Sequence, residues 1–151
     1  MDTDHSTIHA SSVLVGAQAL LITGPAAAGK SRLALALIEA ASSGRLRFAR
    51  LVGDDRVQIE ALHGRLLVRP AAKLAGLMEV RGLGIRRLCY EPVAVVGGVV
   101  ELAARDAARL PGPESAATVI CGIRLPRLAV AAGIDPLPLV LAWQFTEDAL
   151  L

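Results

Sequence analysis

The chain has 151 residues, is 54% hydrophobic and 20% charged, and carries a formal charge of +2 at neutral pH. That length gives one domain with a proper core, and the apolar share excludes an intrinsically disordered chain. The near-neutral charge excludes attachment to nucleic acid by phosphate neutralisation, and an aromatic content of 3% excludes a base-stacking platform.

Mean hydropathy is +0.53, and the longest uncharged run, residues 10–29, is long enough to cross a bilayer. That run contains Ser11, Ser12, Gln18 and Thr23 and ends in Gly24, Pro25 and Gly29, so no membrane helix is expected. Asp2 and Asp4 stand where a signal peptide would carry positive charge. Cys89 and Cys121 have no metal-type spacing and sit among apolar neighbours; they read as buried free thiols of a reducing cytoplasm.

Residues 1–8 are polar and read as a flexible N-terminus. Gln18 to Thr23 is a short apolar run, strand-like in length, that stops at Gly24. Lys30 to Ala41 is rich in Ala and Leu without a breaker and reads as a helix ended by Ser42, Ser43 and Gly44. Its buried side is expected to carry Leu33, Leu37 and Ile38. Leu51 to Gly53 reads as a second buried strand, running into Asp54 and Asp55. Val57 and Ile59, the His63–Gly64 turn, and Leu66 and Val68 alternate as a hairpin.

Further on, Ala71 to Ala75 gives a helical turn and Met78 to Val80 a strand leading into a tight loop at Gly82–Gly84. Pro92 to Leu102 is β-rich with a break at Gly97–Gly98. Thr118 to Ile123 reads as one more strand, and Leu137 to Phe145 as a short terminal helix. Strand and helix do not alternate throughout, so a doubly wound fold is disfavoured and a mixed sheet with few helices is expected.

Gly24-Pro25-Ala26-Ala27-Ala28-Gly29-Lys30-Ser31 matches the phosphate-binding loop G-x-x-x-x-G-K-[ST] in full. From this chain's own composition a chance match is on the order of one in a thousand. Lys30 is one of only two lysines, the other being Lys73. Backbone N–H groups of such a loop and the helix start behind it cradle phosphate oxygens. Lys30 reaches the β/γ-phosphates and the Ser31 hydroxyl ligates Mg²⁺. A carboxylate at the end of a neighbouring strand, as Asp54 and Asp55 offer, can hold Mg²⁺ or accept a proton from an attacking hydroxyl. The alternative for that pair is a solvated turn.

The order of these features resembles a known family, the catalytic (C-terminal) domain of HPr kinase/phosphorylase in its short alphaproteobacterial-type form. The resemblance is carried by His9 with the strand from Ser12 to Gly16, the loop Gly24 to Ser31, Leu51 to Asp55, and Glu79-Val80-Arg81-Gly82-Leu83-Gly84-Ile85. The last string is the most specific. The resemblance implies an α/β fold with a P-loop-containing mixed β-sheet of the phosphoenolpyruvate-carboxykinase-like type. Residues 9–151 would then be one P-loop kinase domain.

It further implies an ATP- and Mg²⁺-dependent protein-serine kinase, with phosphorylase activity toward phosphate and pyrophosphate, acting on the HPr-type phosphocarrier of a phosphotransferase system. Asp55 would be the acid/base with Asp54 beside it, Lys30 would sit on the nucleotide phosphates, and Ser31 and Glu79 at Mg²⁺. His9 would lie near the transferred phosphoryl, and Arg109 would match a catalytic arginine. Arg124 and Arg127 would be the remnant of a loop tied to dephosphorylation. A cytoplasmic homo-oligomer, a hexamer, is expected. The chain departs from the pattern at Ala27, where the family has glycine, and at Arg32, where it has Glu. The rival readings are a P-loop kinase of a small metabolite and a nucleotide-sensing module that has lost catalysis.

Overall fold

The computed structural model describes residues 5–149. In chain order its elements are β1 (His5–Ile8), β2 (Ser11–Val15), β3 (Gln18–Thr23), α1 (Lys30–Ser42), β4 (Ala49–Gly53), β5 (Val57–Leu62) and β6 (Arg65–Pro70). A 3₁₀ turn at Ala72–Leu74 leads to β7 (Leu77–Val80), β8 (Gly84–Arg87), β9 (Ala94–Leu102), β10 (Ala117–Ile120), β11 (Ile123–Val130) and α2 (Pro136–Phe145). This is the mixed α/β architecture expected, with a large sheet and two α-helices among the described residues.

The sheet runs β1-β5-β6-β9-β3-β2-β4, with β11 beside the far half of β9 and β10 outside β11. β9 is its joint. It runs antiparallel to β6 through Ala94 and Val95, and parallel to β3 and to β11 farther along. Its two glycines do not break it, because each admits a neighbour. A Cβ on Gly98 would stand 2.8 Å from the Trp143 ring, and one on Gly97 would run into the Gln18 side chain.

The two faces of the sheet are covered separately, as the strand period of two requires. Leu20 and Ile22 of β3 join Leu33 and Leu37 of α1, Met78 of β7 and Val140 of α2. Ala19 and Leu21, pointing the other way, join Val52, Val57, Ile59, Leu66, Val68 and Leu125. This second cluster contains strands from both ends of the order because the sheet curls on itself. β4 touches β6, and a Cβ on Gly53 would stand 2.7 Å from Val57. Two short links cross the seam between the sheet's ends, His9–Ala10 between β1 and β2, and Asp54–Arg56 between β4 and β5. The Ala10 N–H donates to the Asp55 carbonyl at 3.2 Å, tying one link to the other.

Four further expectations are corrected. Residues 5–8, expected to be flexible, form β1, because their backbone completes the open edge of β5 from His5↔Glu60 to Ile8↔Val57; residues 1–4 lie outside the described residues. The loop after β7 returns as β8, a strand whose side chains are all exposed and so leave no apolar periodicity to read. The stretch read as one strand from Thr118 to Ile123 is the end of β10 and the start of β11, folded at Cys121 and Gly122, both with positive φ. Neither cysteine is buried: Cys89 is exposed on the segment between β8 and β9, and Cys121 is half-buried in the turn between β10 and β11.

Candidate functional site

The segment from Gly24 to Gly29 joins β3 to α1. Gly24 has φ 145°, and a Cβ there would lie 2.9 Å from the Leu102 carbonyl oxygen at the end of β9; only glycine lets the strand turn this close to its neighbour. Gly29, at φ 98°, is the residue before the helix, and it offers no side chain to cap the first turn, which also lacks an acidic residue. The leading N–H groups and the positive end of the helix dipole are therefore available to an external anion. Lys30 folds over the loop, its Nζ donating to the carbonyls of Gly24 at 2.8 Å and Pro25 at 2.9 Å. Ala27 adopts φ 65°, a left-handed backbone that costs an alanine about 1–2 kcal/mol.

Below the loop, Asp54 is buried, at 4% exposure. Its carboxylate accepts from Ser11 Oγ at 2.6 Å and from Ser31 Oγ at 2.7 Å. One residue on, the chain crosses the seam. Asp55 is exposed, has φ 66°, and is spanned by a bond from the Arg56 N–H to the Asp54 carbonyl at 2.7 Å. Crossing from β4 to β5 within three residues forces this turn, and such strained positions concentrate at functional sites. His9 is exposed in the other seam link, next to Ala10, which bonds Asp55. Thus His9, Asp54, Asp55, Lys30 and Ser31 gather at one end of the sheet.

The other candidates lie on other elements. Glu79 is on the exposed side of β7, while its neighbour Met78 packs under α1. Arg109 is exposed on the segment between β9 and β10, and Arg124 is exposed on β11. Arg32 is exposed on the first turn of α1.

Arg127, read as part of the remnant of a loop tied to dephosphorylation, has its guanidinium engaged within the fold. Its side chain is 9% exposed and bridges Asp106 at 2.8 Å and Glu101 at 3.0 Å, and also donates to the Ser115 carbonyl at 2.9 Å. The Arg127 hydrogen bond, ahead of its charge, holds the Asp106 carboxyl below the usual range. The same bond to Asp106 raises Arg127 above its ordinary value.

Sequence reasoning missed Ser11, the second hydroxyl on Asp54. The available signal was two adjacent serines, Ser11 and Ser12, heading an otherwise apolar strand; both are fully buried, and Ser12 donates to the Leu20 carbonyl. As for a metal, no group of three or more His, Cys, Asp or Glu is placed to hold an ion by itself among the described residues. Ser31 and Asp54 nevertheless fit Mg²⁺. They are hard oxygen donors, and this ion commonly takes one or two protein carboxylates and completes its shell with phosphate oxygens and water.

Fold and loop together define a mixed-sheet α/β domain built around a glycine-rich strand–loop–helix unit. More narrowly, the family model described as the HPr Serine kinase C-terminal domain matches residues 3–89, more than half of the chain, and the chain belongs to that family. It is 42% identical over 78 residues to the HPr kinase/phosphorylase of Clostridium beijerinckii, a stretch covering 52% of this chain and 24% of that protein. It is 39% identical over 80 residues to the HPr kinase/phosphorylase of Limosilactobacillus reuteri, covering 52% and 23%. The chain thus spans about a quarter of the length of these relatives. A solved structure of the Hpr(Ser) kinase/phosphatase from Coxiella burnetii superimposes with a TM-score of 0.72 at 25% identity, covering 93% of each chain.

Proposed function

We propose that residues 9–151 act as a single P-loop kinase domain that transfers the γ-phosphoryl group of ATP to a serine hydroxyl of an HPr-type phosphocarrier protein of a phosphotransferase system. Family membership and the names of the relatives support this reading. The observation that carries it is the bond from Ser31 to buried Asp54 beneath the loop, with Asp55 in strained backbone at the next position.

In this reading the N–H groups of Gly24, Ala26, Ala27, Ala28 and Gly29 and of the start of α1 bind the phosphates, Pro25 has no N–H and shapes the turn, and Lys30 exchanges its loop carbonyls for phosphate oxygens. Asp55 takes the proton of the serine hydroxyl as its oxygen bonds to phosphorus and ADP leaves, a contribution worth about 10²–10⁴ in rate. Asp54 and Ser31 would hold Mg²⁺, with Glu79 as a further oxygen donor, and the ion would supply neutralisation of charge on the β- and γ-phosphates. His9 would lie near the transferred phosphoryl, and Arg109 would have to reach it from the segment between β9 and β10.

The same groups serve the reverse-type reaction. A phosphate oxygen attacks phosphoserine, Asp55 returns the proton to the departing serine oxygen, and pyrophosphate forms. The domain works as a cytoplasmic homo-oligomer, a hexamer. Incubating the chain with an HPr-type carrier, ATP and Mg²⁺ and weighing the carrier tests the proposal. A gain of one phosphoryl group on serine is expected. An unmodified carrier with a phosphorylated small metabolite, or with nucleotide bound and unconsumed, would overturn it.

A further inference from the structure

A cleft of about 290 Å³ lies on the other flank of the loop. Its walls are loop residues 25–28, Leu102 and Ala103 at the end of β9, and the turn 131–134 with Pro136 behind it. This volume is at the small end of the ~300–1,000 Å³ typical of ligand sites, enough for a flat ring and part of a sugar but not for a whole nucleotide.

The position and the lining narrow the occupant. In the sheet, β3 has β2 and then β4 on one side, and β9 and then β11 on the other. Asp54 and Asp55 follow β4, whereas the cleft opens toward β9 and β11. A ligand with phosphates over the start of α1 and its terminal phosphoryl toward the aspartates therefore carries its other end across the loop into the cleft. Every lining side chain is Pro, Ala, Leu, Val or Ile, or is absent as in Gly133. None can donate or accept a hydrogen bond, which leaves polar readout to backbone groups alone.

We infer that this cleft seats the base of a nucleoside triphosphate by apolar contact, with no side-chain reading of its hydrogen-bonding edge, so that the site accepts more than one base. The inference rests on the kinase reading above. Sites built to hydrogen-bond a substrate reject the wrong one by ~10⁴–10⁵, whereas apolar pockets separate close analogues by only ~10–200-fold.

Ala132 provides the test. The Ile134 N–H donates to the Ala131 carbonyl at 3.3 Å across a turn whose third residue, Gly133, has φ 81°. Ala132 is the second residue of that turn, exposed and lining the cleft, a position that takes most side chains without strain. Calorimetric titration of the full chain with Mg²⁺ compares ATP, GTP and inorganic triphosphate.

ATP and GTP are expected to bind within about 10-fold of each other, as an apolar pocket dictates. Ala132→Trp is expected to weaken both by about 10-fold or more and to leave inorganic triphosphate within about twofold, since it fills only the base cleft. Ile134→Trp, at a residue 53% exposed on the same rim, repeats the test should the first variant not fold. Unchanged ATP binding in the folded variants, or a preference for ATP over GTP beyond about 100-fold, would overturn the inference while triphosphate binding left the loop reading standing. A wild-type chain that bound neither ATP nor triphosphate would overturn both.

Discussion

The Ser31 hydroxyl lies 2.7 Å from one carboxylate oxygen of Asp54 and 2.9 Å from the other, linking the start of α1 to the end of β4. Ser11 holds the same carboxylate from β2 at 2.6 Å. Buried and doubly bonded, Asp54 is suited to fixing a cation, whereas exposed Asp55 can reach a substrate. Asp55→Asn should keep ATP binding within a few-fold and lower single-turnover transfer to the carrier by about 10²-fold or more. Asparagine also tolerates left-handed backbone, so the fold should be retained. Asp54→Asn should lose activity that high Mg²⁺ partly restores. Wild-type transfer by Asp55→Asn would assign the proton to another group.

Lys30 is expected to control nucleotide binding. Mg²⁺–ATP at about 100 times its Kd stabilises a folded chain by ~2.7 kcal/mol, a rise of roughly 5–10 °C in Tm for a domain of this size. Lys30→Ala should abolish the rise. The two loop bonds it loses are partly solvent-exposed, so the ligand-free Tm should drop by no more than about 4 °C. An equal ATP-induced shift in the variant would contradict the proposed role of the loop.

Backbone strain at Asp55 gives a stability test. Glycine at a left-handed position relieves about 1–2 kcal/mol, offset by about 0.4–1 kcal/mol from the freer unfolded chain. Asp55→Gly should therefore raise Tm by about 1–4 °C while transfer falls to background. A variant that is less stable would show that the carboxylate, and not the turn, holds the seam together. Ala27→Gly should give a similar rise and keep nucleotide binding.

The Arg127 bridge should be insensitive to pH until acid. Asp106 is held below its ordinary range, so its contribution is present above the unfolded pKa and is lost as pH falls through the folded value. Arg127 is raised, so its contribution is present at all lower pH and is lost only in extreme alkali. Amide exchange in residues 103–116 should thus stay protected from about pH 5 to 9 and rise below about pH 4. Arg127→Gln should raise that exchange at neutral pH; protection equal to wild type would show that the bridge does not pin the segment.

Much of the site could be read from the sequence because its parts are contiguous: the loop, the helix behind it and the aspartate pair each occupy one short string. β3 has the bounds expected of it, since a buried strand between two polar turns leaves a sharp pattern. What escaped depends on distant partners. β1 is polar and becomes a strand only because β5 offers an edge. β11 carries Arg124, Pro126 and Arg127 within eight residues, and Arg127 lies inward only because Glu101 and Asp106 meet it. The burial of Asp54 and the exposure of Asp55 were likewise invisible, because they follow from where the chain crosses the seam.

The seam also bears on how this chain folds. β1, β5 and β6 form one group and β3, β2 and β4 another, and β9 lies between them. Hairpins within each group can form early, but the turn at Asp55, which crosses from one group to the other, is held only after residues 94–102 join the groups and the sheet closes. Such distant pairing makes folding slow, on the scale of milliseconds to seconds. A nascent chain still lacking β9 would hold the whole glycine-rich loop and both carboxylates without the closed seam that fixes Asp55, so the proposed phosphoryl transfer would begin only with the closed sheet.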